Sequence, residues 1–159
     1  MSIEKVRAYF AKTGRENQIK EVEESTATVE LAARAIGVEP ARIAKTLSFK
    51  GNDEGCILVV TAGDMKIDNK KFKAAFGLKA KMLSPQEVLD FTGHAVGGVC
   101  PFGIENPAVS VFLDESMKRF DTVFPAAGSA NSMIELTCDA LFADAGAQSW
   151  VDVCKSAVN

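Results

Sequence analysis

The amino-acid sequence predicts an α+β fold: one domain over residues 1–159, with a mixed, curved, barrel-like β-sheet and helices packed outside it. Its 159 residues suffice for one sizeable hydrophobic core, and no internal repeat or Pro/Gly/Ser-rich linker divides them. The predicted helices and strands do not alternate one by one, so a doubly wound parallel sheet is not expected. Hydrophobic residues make up 47% of the chain, which excludes a disordered or collagen-like protein.

Helices are indicated by apolar periodicity combined with capping residues. Each predicted helix starts at a polar residue, and most of them end at a glycine. The predicted helices cover residues 3–12 (N-cap Ser2, with Gly14 beyond the end), 28–36 (ended by Gly37), 69–76 (capped by Asp68, ended by Gly77), 85–92 (capping box of Ser84 and Glu87, ended by Gly93) and 139–142.

Strands are indicated by alternating or continuous apolar runs between turn residues. They are predicted over residues 18–22, 45–50, 56–61, 108–113, 122–126, 132–137 and 150–153. The turn sequence at 52–55 predicts a hairpin between the second and third of these strands. Residues 40–44 are expected to form a short helical turn, and the three glycines and one proline of residues 97–103 exclude a regular element there.

Charge and hydropathy exclude several classes of protein. The net charge of −3 argues against a protein that coats nucleic acid non-specifically. The longest apolar stretch, residues 57–62, is far shorter than the ~20 residues of a membrane-spanning helix. The first residues mix charges where a signal peptide would have its apolar segment. We therefore expect a cytoplasmic protein that binds neither a membrane nor DNA.

Known signatures of metal and cofactor chemistry are absent from the sequence. The four cysteines are irregularly spaced and His94 is the single histidine, so no metal site is expected. The chain has no Walker A loop, no G-x-G-x-x-G after a strand, no G-x-S-x-G and no H-E-x-x-H. Nucleotide hydrolysis, dinucleotide redox and α/β-hydrolase chemistry therefore have no support, and no cofactor is expected.

Lys45 opens the predicted strand over residues 45–50, with Thr46 beside it. A lysine at a strand edge often packs its stem and leaves its ammonium in water. Fixed at the mouth of a pocket, the same ammonium could hold a carbonyl or phosphate oxygen. Both interpretations are open on the residues alone.

The glycine-rich loop over residues 97–103 is a second candidate for ligand contact. Gly97 and Gly98 can adopt positive φ and present N–H groups, and Pro101 would stiffen the turn. Two N–H groups aimed at one point would form an oxyanion hole. An ordinary tight connection is the alternative.

The sequence resembles the YbaK/prolyl-tRNA-synthetase-associated editing domain in three blocks: Ala44-Lys-Thr-Leu47, residues 97–103, and Gly128-Ser129 ahead of Met133-Ile-Glu-Leu-Thr137. The likeness spans nearly the whole chain. It implies an α+β fold and hydrolysis, in trans, of mischarged aminoacyl-tRNA, often tRNA-Pro carrying cysteine or alanine, without a metal. An aminoacyl-tRNA synthetase is a further candidate partner.

The resemblance also assigns roles to single residues. Lys45 is similar to the essential pocket lysine, and Gly97 to the first fixed position of the G-x-x-x-P loop, so both are expected to be catalytic. By the same resemblance, substrate-binding roles are expected for Thr46, Pro101, Gly128 and Ser129. Gly98 is expected to bind substrate through its amide, as argued above for the loop. Family members often have a lysine- or arginine-bearing loop after this glycine, whereas this chain has Ser129-Ala-Asn-Ser132. Because this wall shapes the pocket, the amino acid removed is left open.

Three further residues near these blocks have open roles. His94 lies three residues before the loop and is a candidate for substrate contact or for a general base, or it is simply a structural histidine. Cys100 lies in the loop, but a cysteine nucleophile needs a paired base, so we expect this thiol to fill space. Asp139 could face the pocket or N-cap the last helix.

Residues 66–81 contain six lysines and one acid, Asp68, in an otherwise acidic chain. A helix over 69–76 would place Lys70 and Lys73 near one face, with Lys66 as a further candidate for that face and Lys71 turned aside. We predict that Lys70 and Lys73 contact tRNA phosphates. A solvated helix face is the alternative interpretation.

The sequence therefore predicts an aminoacyl-tRNA deacylase that acts in trans. Its substrate would be mischarged tRNA, in particular tRNA-Pro that carries cysteine, alanine or another small amino acid. A non-catalytic module that binds a small amino-acid-like ligand or a synthetase is the alternative.

Overall fold

The computed structural model describes residues 2–157. Within them lie five α-helices and ten β-strands. The helices are α1 (Ser2–Ala11), α2 (Val29–Ile36), α3 (Asn69–Phe76), α4 (Pro85–Thr92) and α5 (Cys138–Asp144). The strands are β1 (Ile19–Glu21), β2 (Ile43–Lys50), β3 (Cys56–Ala62), β4 (Met65–Ile67), β5 (Val109–Asp114), β6 (Thr122–Pro125), β7 (Ser132–Ile134), β8 (Leu136–Thr137), β9 (Ser149–Val151) and β10 (Cys154–Ser156).

Six strands form the central sheet, in the order β8-β6-β2-β3-β5-β9. β2 pairs antiparallel with β3 and parallel with β6, whereas β5 pairs parallel with both β3 and β9. The sheet is therefore mixed, and it curls into a half-barrel. The predicted α+β fold is confirmed. Two small antiparallel ladders, β1–β7 and β4–β10, lie beside this sheet.

The β2–β3 hairpin forms around the predicted turn. Asp53 and Glu54 have φ values of 54° and 59°, and the Gly55 amide donates to the Asn52 carbonyl at 2.9 Å. Two successive positive φ values are those of a type I′ turn, whose twist matches that of antiparallel strands. Neither residue is a glycine, so the turn holds two L side chains in a backbone conformation that they rarely adopt.

The predicted C-terminal glycines of α2, α3 and α4 are confirmed, and so are the N-caps predicted for α3 and α4. Thr28, predicted as the first residue of its helix, is instead the N-cap of α2. Side-chain oxygens accept the free amides of the first turn, and glycines in the left-handed conformation end each helix. The N-caps are Thr28 for α2, Asp68 for α3 and the capping box of Ser84 with Glu87 for α4; the C-terminal glycines are Gly37, Gly77 and Gly93.

Strand pairing corrects several predicted boundaries. β2 begins at Ile43 rather than at residue 45, because Ile43 and Ala44 pair with β6. The helical turn before it is consequently confined to Pro40–Arg42. The predicted strand over 132–137 breaks at Glu135, since β7 pairs with β1 and β8 pairs with β6. The predicted strand over 150–153 is Ser149–Val151.

Two helix starts also differ from the prediction. Thr137 caps α5, because its hydroxyl accepts the Ala140 amide at 3.1 Å, so Asp139 is a first-turn residue and not the N-cap. Ser2 lies within α1 rather than before it, and its hydroxyl is hydrogen-bonded to His94. The three-residue strands β4 and β10 were not predicted.

The central hairpin is buried on both faces. Alternation along β2 and β3 places Ala44, Leu58 and Val60 in the larger core cluster, which also holds α1 and the loop at 97–103. Phe49 and Val59 face the opposite way, into a smaller cluster with α3 and β10. The two faces together make β3 fully buried, which explains its continuous apolar sequence.

Candidate active site

A cavity of about 380 Å³ opens along the exposed edge of β2. β2 and β6 pair only at Ile43↔Phe124 and Ala44↔Pro125, so the rest of β2 lacks a strand neighbour on this side until the contact of Phe49 with Met82. Residues from α2, α4, β6, β7 and the glycine-rich loop surround the gap. The polar residues of the lining are Thr26, Thr28, Lys45, Thr46, Ser48 and Ser132, and Gly97 comes from the glycine-rich loop. The fold thus brings Gly97 to the same cavity as Lys45 and Thr46, from which it is distant in the sequence.

Lys45 is the one charged side chain that the described part of the chain contributes to the cavity lining. Its Nζ donates a hydrogen bond to the Met65 carbonyl in β4, so the ammonium is held in place. Burial lowers the pKa of Lys45 from its usual value, although Cys154, Glu30 and Asp64 act in the opposite direction. The cavity therefore combines a fixed cation with neutral walls, an arrangement that favours an electron-rich ligand group.

Thr46 contributes backbone as well as side chain to the cavity. The Ser48 carbonyl accepts from the Leu83 amide, and the Lys50 amide donates to the Lys81 carbonyl. Because backbone groups alternate along a strand, the amide and carbonyl of Thr46 point to the same side of β2 as those of Ser48 and Lys50. The β2–β6 ladder has already ended at Ala44, which leaves the Thr46 amide without a ladder partner. Its hydroxyl oxygen is also buried without a hydrogen-bond partner within residues 2–157.

Gly97 lines the cavity with a backbone conformation that requires glycine. Its φ is +100°, and a methyl group added there would only touch Ala130 and Ala27, at 3.7 and 3.8 Å. Its amide has no backbone partner among the described residues. This amide faces no competition for a ligand oxygen, as the oxyanion-hole interpretation requires.

Gly98 has a different part in the same loop. Its amide already donates to the Ala95 carbonyl at 3.0 Å, so it is not available for a ligand. A Cβ at this position would lie 2.8 Å from the Ser129 backbone. Gly98 therefore allows the loops at 97–103 and 128–132 to pack backbone against backbone.

The other predicted substrate-binding residues lie behind the cavity wall. Gly128 has φ +97°, and a Cβ there would lie 2.8 Å from the backbone of Ser2. The Ser129 hydroxyl is 2.6 Å from that of Ser132, which does line the cavity. Pro101 is buried and borders a second cavity, of about 540 Å³, on the other side of the loop. Gly128 and Ser129 thus support the wall from outside.

His94 is fully buried and does not line the cavity. Its Nε2 is 2.8 Å from the Phe102 carbonyl, which can only accept, so Nε2 carries the proton and Nδ1 accepts from the Ser2 hydroxyl. Burial lowers the pKa of His94, which agrees with a neutral ring. The histidine ties α1, α4 and the loop at 97–103 together.

Cys100 is also fully buried, with its Sγ 3.5 Å from His94 Nε2. This nitrogen has already donated its proton to a carbonyl, so it cannot act as a base toward the thiol. Burial raises the pKa of Cys100 to about 12. The residue is a protonated, space-filling thiol at neutral pH.

Sequence reasoning missed several residues of this site. The Thr26 hydroxyl is a second buried oxygen without a partner within residues 2–157, at the wall next to α2. Val96 and Met82, which are 65% and 58% exposed, form an apolar rim at the cavity. Exposed apolar side chains are typical of contact surfaces. A motif signal is absent for all three residues, and tertiary packing alone brings Thr26 and Met82 to the cavity.

Lys70 and Lys73 are exposed on α3, whose Phe72 packs into the core. Lys71 is turned aside, as predicted, and binds Asp152 at 3.0 Å and the Cys154 carbonyl at 3.1 Å. Neither Lys70 nor Lys73 lines the cavity. Their contact with tRNA remains a prediction.

Acidic and metal-binding groups are scarce around this site. Among residues 2–157, no aspartate, glutamate, histidine or cysteine lines the cavity. Nowhere in residues 2–157 do three or more His, Cys, Asp or Glu side chains cluster as a metal would require. None of the helices in the same range is long and apolar enough to cross a membrane.

Comparisons with known proteins agree with this geometry. The family model of the aminoacyl-tRNA editing domain matches residues 23–143. YwhH of Bacillus subtilis, an uncharacterised protein, is 56% identical over 98% of both chains. EbsC of Enterococcus faecalis, a proposed Cys-tRNA(Pro)/Cys-tRNA(Cys) deacylase, is 31% identical over 72% of this chain and 70% of its own. The crystal structure of a proposed trans-editing enzyme for prolyl tRNA synthetase superimposes with a TM-score of 0.86, at 31% identity over 98% of both chains.

Proposed function

Because this chain belongs to the aminoacyl-tRNA editing domain family, whose function is tRNA editing, we propose that it is itself a deacylase that acts in trans. It would hydrolyse the ester between a small amino acid, such as cysteine or alanine, and the 3′-terminal adenosine of tRNA-Pro. The observation that supports this proposal is the single cavity shared by Lys45, Thr46 and Gly97.

The cavity offers amides and a cation to the reacting ester. The amides of Gly97 and Thr46 are the donors available to the oxyanion that develops on the ester carbonyl. The ammonium of Lys45, held by the Met65 carbonyl, would fix an oxygen of the ribose or of the acyl group. Since an aminoacyl ester is already activated, this stabilisation together with orientation would be sufficient for catalysis.

None of the cavity-lining residues that the structure describes has a carboxylate, imidazole or thiol that could act as a general base at neutral pH. The nucleophile would therefore come from the solvent or from the substrate itself. It would be water oriented by the ribose hydroxyl or, when the tRNA carries cysteine, the thiol of the cysteinyl group. The apolar walls formed by Val29, Ala32 and Phe124 would hold a small side chain and exclude a larger one.

The proposal is tested by incubating the purified protein with a panel of mischarged tRNAs and measuring ester loss. We expect turnover of at least one small aminoacyl-tRNA. Lys45→Ala is expected to abolish it while circular dichroism and the melting temperature show a folded protein. Lys45→Arg should fail as well, because a planar guanidinium does not reproduce a compact ammonium.

Two outcomes would contradict the proposal. Wild-type turnover by Lys45→Ala would remove the lysine from the mechanism. Tight binding of an aminoacyl-tRNA without ester loss across the whole panel would instead support the non-catalytic binding module.

A further inference from the structure

The β4–β10 ladder places two lysines directly opposite each other. Its register pairs Lys66 with Lys155, and both side chains are exposed. Directly opposed residues of antiparallel strands have Cβ atoms about 4.5–5.5 Å apart, where like charges are unfavourable. An uncharged polar residue or an acidic residue at either position would remove this repulsion. The pair of lysines is therefore explained better by binding of an anionic ligand than by a contribution to folding.

Neighbouring acids do not neutralise the pair. Among residues 2–157, no carboxylate lies within 4.0 Å of either ammonium. Asp68 is close enough for Lys155 to help lower its pKa, but its carboxylate mainly accepts the Lys70 and Lys71 amides at the start of α3. Asp152 is bound to Lys71. The pair therefore presents two positive charges to solvent.

The pair lies next to the lysine of the cavity. The Met65 carbonyl, which accepts from Lys45 Nζ, belongs to the peptide unit that leads into Lys66. Met65 and Ile67 pack inward, so the Lys66 side chain projects from the opposite face of the same short strand. An ester held at Lys45 would therefore have its nearest phosphates beside the strand that carries Lys66.

We propose that Lys66 and Lys155 bind the phosphodiesters of the unpaired 3′ end of the tRNA, immediately before the acylated adenosine. This inference rests on the proposed deacylase function. It assigns the 3′-end contact to the β4–β10 ladder and leaves the stem contact to Lys70 and Lys73 of the following helix α3. Clustered lysines that follow a single strand are the usual electrostatic means of holding it without reading its bases.

The test compares three substrates that carry the same acyl group: aminoacyl-tRNA, an aminoacyl-CCA trinucleotide and aminoacyl-adenosine, which has no phosphate. For the double variant Lys66→Ala/Lys155→Ala, we expect kcat/KM to fall about tenfold on the first two and to stay within twofold on the third. The slope of log KM against log salt should fall by about 1.4 for tRNA, at about 0.7 per single-strand phosphate. Lys20→Ala, an equally exposed lysine in the β1–β7 ladder, is the matched control and should change nothing.

Each other result overturns the inference in a different way. An equal loss on aminoacyl-adenosine would mean that the lysines act on the cavity. A decrease of kcat/KM on tRNA alone would mean that the lysines contact the stem. An unchanged kcat/KM on all three substrates would mean that the pair is only solvated. If the wild-type protein hydrolyses none of the three substrates, the proposed function itself fails. The melting temperature at low salt gives a check without activity: it should rise when one lysine of the opposed pair is removed.

Discussion

At the scale of single residues, the proposed role of Gly97 depends on one backbone angle. Gly97 lines the cavity with a φ of +100°, its amide has no backbone partner among the described residues, and an added methyl group would meet nothing closer than 3.7 Å. Steric crowding is therefore not the reason for glycine here. The backbone angle is the reason, because an L side chain disfavours positive φ by about 1–2 kcal/mol.

Gly97→Ala should accordingly lower the free energy of unfolding by about 1–2 kcal/mol and reduce kcat much more than this strain alone explains, since relaxation of the loop moves the amide. Gly37→Ala is the matched control: its φ is +71° and no atom lies near its Cβ, but it caps α2 away from the cavity lining. It should show a similar loss of stability with normal turnover. Normal turnover by folded Gly97→Ala would make the loop merely structural.

At the scale of elements, a substitution in the turn of the β2–β3 hairpin should increase the stability of the protein. Glu54 has φ 59° in a type I′ turn, a position that favours glycine. Glu54→Gly should raise the free energy of unfolding by about 0.5–1 kcal/mol in urea titrations, without a change in deacylation. The same change at exposed Glu39, where φ is −70°, should lower it. Destabilisation by both variants would contradict the strain assigned to the turn.

Elements with local signals were predictable, and elements without them were not. The caps at Asp68 and Ser84 lie within three residues of the amides that they satisfy, so the sequence shows them directly. β4 and β10 have three residues each and pair across the length of the chain, Met65 with Ser156, so no local pattern marks them. The pairing of Lys66 with Lys155 in that ladder could not be predicted for the same reason.

Residues of the candidate site were likewise predictable where a sequence motif marks them and not elsewhere. Lys45, Thr46 and Gly97 were predictable because they stand in sequence blocks, and the structure places all three at one cavity. Thr26 and Met82 reach that cavity only through packing of elements distant in the sequence, whereas Val96 directly precedes Gly97 but belongs to no motif. Conversely, Gly98 and Gly128 lie in the blocks for a packing reason, since each allows two backbones to approach closely.

At the scale of the whole molecule, His94 couples stability to pH. It joins α1 through Ser2 and the loop at 97–103 through Phe102, and burial lowers its pKa below the usual 6.5 or so. The unfolded chain therefore binds a proton at a higher pH than the folded chain does. The stabilisation is complete above about pH 6.5 and is lost as the pH falls through the folded pKa, with a slope of up to about 1.4 kcal/mol per pH unit.

We expect the free energy of unfolding, measured in urea between pH 7.5 and 5, to decline below about pH 6.5 for the wild-type protein. His94→Gln keeps a donor for the Phe102 carbonyl but does not titrate, so it should be less stable at pH 7.5 and nearly independent of pH over this range. Carboxylates with lowered pKa values, such as those of Asp64 and Glu87, add their own loss only at more acidic pH. Because His94 is the single histidine, an identical decline in both proteins would show that the buried ring is not the source of the acid sensitivity.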